Sequence, residues 1–127
     1  MGLRKLFGHG GGAGETTLSV PDALGLLAAG GVIIDVRARR EYEAGHIPGA
    51  ITDLQADPTN AIWGHDPLAM LDPATQEKAI VVVSTTPAHA SAIAHLLRDA
   101  GLTAYALAGG LLGWVRDGQV LIPGPPR

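Results

Sequence analysis

The chain has 127 residues, which suits one domain built around one core. Its net charge is −3, and Lys and Arg form no stripe, so the clustered positive charge that nucleic-acid backbones require is excluded. There is no cysteine, which excludes disulfides and Cys-based metal sites, and no run approaches the roughly 18 to 20 apolar residues of a membrane-spanning helix.

The N-terminus, Met1 to Phe7, places Arg4 and Lys5 before the glycine-rich stretch Gly8 to Gly14. No apolar segment follows the basic pair, so this is not read as a secretory signal. Leu6 stands where N-myristoylation favours Ser or Thr. Residues 1–16 are expected to be a flexible leader. A short membrane-surface or partner-docking peptide is the alternative.

Ser19-Val20-Pro21-Asp22 reads as a helix start, with Ser19 as cap, Asp22 three residues on, and Pro in the first turn. Ala23 to Ala28 continue the helix until Gly30-Gly31 stop it. Val32 to Val36 reads as a strand apolar on both faces, the pattern of a parallel sheet covered on both sides. Arg39 to Ala44 is a short helix ended by Gly45, and Pro48-Gly49 marks a turn before a short strand at Ala50 to Thr52. From Asp53 to Asp72 the periodicity is poor. A long connection is expected there, with one helical turn near Pro67 to Leu71. Lys78 to Val83 is a central strand, Ala88 to Ala100 a helix, Thr103 to Leu107 a strand and Leu111 to Asp117 a last helix. The tail, 121–127, is rich in Pro and is expected to be irregular. Alternation of strands and helices implies right-handed crossovers and an α/β three-layer sandwich with a mainly parallel central sheet.

In such sheets the ligand site lies beyond the carboxyl ends of the strands. Here that place is the loop Ser84-Thr85-Thr86-Pro87-Ala88-His89, between the strand ending at Val83 and the next helix. Amides and the helix dipole converge on negative charge at such a junction, and a thiolate would suit it.

Two blocks carry a family resemblance. Ile34-Asp35-Val36-Arg37, Glu41-Tyr42 and Gly45-His46-Ile47-Pro48-Gly49-Ala50 form the first; Leu96-Leu97-Arg98-Asp99-Ala100-Gly101 and Leu107-Ala108-Gly109-Gly110-Leu111-Leu112-Gly113-Trp114 form the second. Together they resemble the rhodanese-like (sulfurtransferase) domain over about residues 17 to 120. The resemblance implies a small α/β domain with a parallel sheet. In active members the loop after the central strand opens on a Cys that carries a persulfide sulfur, often followed by Arg, then a Gly, and ends near a second Arg. On that pattern Ser84 takes the nucleophile position, Thr85 the charged one, Pro87 the Gly and His89 the later Arg.

An alcohol cannot carry sulfane sulfur through an S–S bond, and it is a weak nucleophile without a base. Pro87 brings no N–H and biases Thr86 toward extended backbone. His89 offers no planar fork to an anion. A single Cys-to-Ser change would not account for Thr85, Pro87 and His89 together. The loop therefore reads as degenerate, with no catalytic residue for sulfur transfer.

Other readings of the same residues are weighed against it. Ser84 and His89 are close enough across a tight loop to touch, which invites a hydrolase, but no third orienting acid is marked and no Gly-x-Ser-x-Gly elbow surrounds Ser84. The hydroxyls of Ser84, Thr85 and Thr86 could hold a small anion, or one of them could simply cap the helix. The five histidines do not make a metal site: His46 sits in a turn, His9 in the leader, and His89 and His95 on different helix faces. By the resemblance Asp35 and Arg37 fix the fold around the loop in a buried, paired role, through ion pairs with Glu41 or with loop backbone. Arg37, Arg39 and Arg40 stand beside Glu41 and Glu43 and read as a solvated face. Trp63 and Trp114 are read as core or pocket wall, Trp63 alternatively as partner surface.

The expected protein is thus a cytoplasmic, soluble rhodanese-like domain at 17–120, silent in sulfur transfer and acting as a binding or regulatory module. Its expected partner is a protein or a small anion at the loop, with no cofactor, metal, nucleic acid or membrane span. The alternative is an enzyme of the same fold with altered chemistry, either related to sulfur transfer or a hydrolase that depends on Ser84.

Overall fold

Four parallel strands, each too short to bury a face alone, share two sets of covering helices. The computed structural model of the chain describes residues 16–52 and 71–125. In chain order the elements are β1 (Thr17–Leu18), α1 (Val20–Ala28), β2 (Val32–Asp35), α2 (Arg39–Ala44), α3 (Pro73–Gln76), β3 (Ile80–Val83), α4 (Pro87–Asp99), β4 (Ala104–Leu107) and α5 (Gly110–Arg116). The strand order is β1-β4-β3-β2, and all three pairings are parallel.

The central strand explains the layering. All four residues of β3 are buried, and they divide by parity. Ile80 and Val82 join a cluster with Ile34, Val36, Ala90, Ile93, Ala94 and Leu97, which is the α4 side. Val81 and Val83 join Leu26, Ile33, Tyr42, Leu107 and Trp114, the side covered by α1, α2 and α5. Side chains alternate across a strand, so an unbroken Ile-Val-Val-Val run needs helices on both faces. This is the expected α/β sandwich.

Local chemistry sets the helix ends. Ser19 Oγ accepts from the Asp22 amide at 3.2 Å and Pro21 lies in the first turn, so α1 starts as expected. Asp72 accepts from the Ala74 amide at 3.3 Å and so caps α3, a four-residue helix not anticipated. Also unanticipated is β1. Thr16 is buried, and its carbonyl accepts from the Ala106 amide, so pairing with β4 begins at the edge of the sheet.

Two further segments differ from expectation in extent. The strand expected at Ala50 to Thr52 is a single bridge, Ile51 to Ile34. The tail, expected to be irregular, makes an antiparallel bridge from Ile122 to His46, and the Gly124 amide donates to the Glu43 carbonyl at 2.9 Å. The helical turn placed near Pro67 falls, except for Leu71, outside the described residues, as do the leader through Glu15 and Trp63. No helix among the described residues is long and apolar enough to cross a membrane.

Candidate functional site

The junction between β3 and α4 places Ser84 immediately after a wholly buried strand and His89 in the first turn of a 13-residue helix. Ser84 is 3% exposed. Its Oγ lies 2.8 Å from His89 Nδ1, so the two side chains are hydrogen-bonded to each other. Thr85, Thr86, Pro87 and Ala88 arch over this contact and are exposed.

Thr86 is the N-cap of α4. Its backbone is extended, as a residue before Pro requires, and its Oγ1 accepts from the His89 amide at 3.3 Å. The loop thus spends one hydroxyl on capping and another on His89. Pro87 opens the helix without an N–H. The amides of Thr85, Thr86 and Ala88 have no hydrogen-bond partner among the described residues.

The supporting residues begin on the neighbouring strand, where Asp35 pairs in register with Val83. Asp35 ends β2 and is 1% exposed. Its carboxylate accepts from Arg37 Nη2 at 2.8 Å and from Arg37 Nε at 3.0 and 3.2 Å, a forked pair. The same carboxylate accepts from the Arg37 amide at 3.0 Å. Arg37 Nη2 also donates to the Gly45 carbonyl at 2.7 Å, which ties the end of α2 to the end of β2. Glu41 is not part of this pair: its Oε1 accepts from the Ala38 amide at 3.3 Å and holds the start of α2. Arg39 pairs with Glu43 at 3.6 Å on an exposed face.

Below α2, His46 is buried and stacks on Tyr42, with ring centroids 3.8 Å apart and planes 4° from parallel. Its Nδ1–H donates to the Tyr42 carbonyl at 2.8 Å, and Tyr42 Oη–H donates to the Ala50 carbonyl at 2.6 Å. His46 is therefore a structural clasp on the Pro48-Gly49 turn. Trp114 belongs to the core, with its Nε1–H on the Val120 carbonyl at 3.1 Å. No group of three potential metal ligands occurs among the described residues.

Sequence reasoning brings Ser84 to His89 but misses what seats the loop. Gly110 has φ +60°, and a Cβ there would stand 3.1 Å from the Ser84 carbonyl oxygen and 3.3 Å from that of Thr85. The Gly109-Gly110 pair was visible as a helix start; its second role, close backbone approach to a loop 25 residues earlier, has no local signal.

The chain is similar to known proteins in sequence and in fold. The model of the rhodanese-like domain family matches residues 19–117. A rhodanese-related protein from Thermoplasma volcanium aligns with TM-score 0.67 at 19% identity, covering 84% of this chain and 96% of that one, a likeness of fold. A protein of unknown function from Rhodopseudomonas palustris, described as a possible tyrosine phosphatase, aligns with TM-score 0.66 at 28% identity over 85% of each chain. A thiosulfate sulfurtransferase from Pseudomonas aeruginosa aligns with TM-score 0.65 at 27% identity over 89% of this chain and 21% of its own. A comparison with curated proteins finds no match.

Proposed function

The chain belongs to the rhodanese-like domain family, and from that premise we propose that it is a cytoplasmic member silent in sulfur transfer, acting as a binding or regulatory module through the Ser84 to His89 loop. One observation carries the reading. The position just after the central strand holds an alcohol, and the chain contains no cysteine to stand in for it. Sulfur transfer needs a thiolate that accepts sulfane sulfur as a persulfide, and an alcohol forms no such bond.

The surrounding loop supports the same reading. A thiosulfate-sized anion is best held by several amides and a guanidinium fork. Here Pro87 supplies no amide, Thr86 Oγ1 occupies the His89 amide, and an imidazole bonded to Ser84 stands at the far end. What is left at the surface is a short neutral arch of hydroxyls, suited to a weakly held anion or to a protein partner's polar groups. Mixing the purified chain with thiosulfate and cyanide tests the proposal. Thiocyanate should not rise above the protein-free blank, whereas multiple turnovers would end it.

A further inference from the structure

We propose that Ser84 and His89 form a nucleophile–base pair that hydrolyses small, neutral, activated carboxylic esters. The proposal does not rest on the binding role, and it adds an activity that the loss of cysteine leaves untouched.

The contact itself is the first ground. Ser84 Oγ and His89 Nδ1 are 2.8 Å apart. For the hydroxyl to donate to that nitrogen, the imidazole must be neutral with its proton on Nε2. A serine hydroxyl donating to a neutral imidazole is the arrangement that activates an alcohol.

The second ground is rigidity. Ser84 is fixed by a strand buried along its whole length, and His89 by a helix turn whose amide is tied to Thr86 Oγ1 at 3.3 Å. The pair is therefore held by two regular elements, which keeps it within the tolerance that proton transfer needs. The third ground is the set of amides on Thr85, Thr86 and Ala88, which make no hydrogen bond among the described residues and lie in the turn around Ser84. Such donors, at the start of a helix, stabilise the oxyanion of a tetrahedral intermediate.

The same surroundings select the substrate. Ser84 is 3% exposed, so a small acyl group, acetyl, is the substrate of choice. No Lys or Arg lies in the sequence between Arg40 and Lys78 or between Lys78 and Arg98, so the loop carries no cationic clamp of its own for a phosphate ester. Among the described residues no carboxylate is hydrogen-bonded to His89, so the base is a dyad without an orienting acid. A base of that kind needs a good leaving group, such as a phenolate.

The steps balance without an added reagent beyond water. Ser84 Oγ bonds to the ester carbonyl carbon as its proton passes to His89 Nδ1. The carbon–oxygen bond to the leaving group breaks, and His89 returns that proton to the departing oxygen. Water then attacks the acyl-Ser84 ester, gives a proton to His89, and the carboxylic acid leaves as Ser84 regains its hydrogen.

The test uses the full chain with a fluorophosphonate probe, peptide mapping by mass spectrometry, and 4-nitrophenyl acetate as substrate. One adduct on Ser84 is expected, absent in S84A and formed at least tenfold more slowly in H89A. Acetate release should fall at least tenfold in both H89A and H89N. Circular dichroism checks that the variants fold, and the wild-type labelling result stands without them. No adduct, an adduct elsewhere, or equal labelling in H89A overturns the proposal. Faster turnover of 4-nitrophenyl phosphate than of the acetate overturns the substrate class. Thiocyanate formation by the same preparation would sink the sulfur-silent reading alone, so the two failures are distinguishable.

Discussion

Restoring a thiol at position 84 separates the nucleophile from its surroundings. Ser84→Cys puts sulfur beside an imidazole that can take its proton. Yet Pro87 still withholds an amide and no arginine stands at 89. Without a guanidinium fork a doubly charged donor such as thiosulfate is held by neutral groups alone. Thiosulfate-to-cyanide transfer by S84C should therefore stay near background. Turnover typical of an active sulfurtransferase would show that only the thiol was missing. Asp35 makes the complementary point about support. Its side chain and that of Arg37 are 1% and 8% exposed. Removing one member of such a pair leaves a charge with too few partners and costs about 3–5 kcal/mol. Asp35→Ala should lower the unfolding free energy by that amount, read by circular dichroism as a lower urea midpoint with the slope unchanged. A loss below about 1 kcal/mol, the range of exposed pairs, would show that the guanidinium finds other partners.

At the scale of elements, the loop is held from two sides, and each hold can be cut separately. Thr86→Ala removes the N-cap of α4, worth about 1 kcal/mol, and frees the His89 amide. Gly110→Ala places a Cβ against the Ser84 and Thr85 carbonyls at a residue with φ +60°, where an L side chain costs about 1–2 kcal/mol. Both should lower the melting temperature by several degrees. Only Gly110→Ala should also shift the nuclear magnetic resonance signals of Ser84 and Thr85 while leaving the α4 cap intact; equal shifts from both variants would refute a distinct seat. The contrast also marks what the sequence makes legible. Helix α1, strand β3 and helix α4 announce themselves because Ser19, the Ile-Val-Val-Val run and Pro87 are local signals of cap, buried strand and first turn. Strand β1 has two residues, too few to show a period of two, and exists because Thr16 and Leu18 find β4. Helix α3 has four residues and rests on one Asp72 cap. Of the candidate site, the Ser84–His89 reach follows from chain distance, whereas the expected ion pair to Glu41 is replaced by the Asp35–Arg37 pair, with Glu41 turned to the Ala38 amide. The Gly110 contact and the His46–Tyr42 stack depend on tertiary approach, which no local pattern encodes.

For the whole molecule, the decisive feature is that one thin sheet serves two cores. Ile93 lies in the cluster beneath α4, and Ile33 in the cluster shared by α1, α2 and α5. They are 4% and 2% exposed, and a lost methyl at either should cost about 0.5–1.5 kcal/mol. If the sheet couples the layers into one cooperative unit, Ile33→Val and Ile93→Val each lower the midpoint of the entire transition. Tryptophan fluorescence and far-ultraviolet circular dichroism then coincide in each variant. The two sites face opposite sides of the sheet and share no cluster, so their effects should add within about 0.3–0.5 kcal/mol. Divergent midpoints for Ile33→Val would mean that the layer of α1, α2 and α5 unfolds on its own. The distinction matters for the site, because Ser84 directly follows the strand common to both cores and His89 lies in the helix that covers one of them. A single transition therefore implies that loop geometry persists until the whole domain melts.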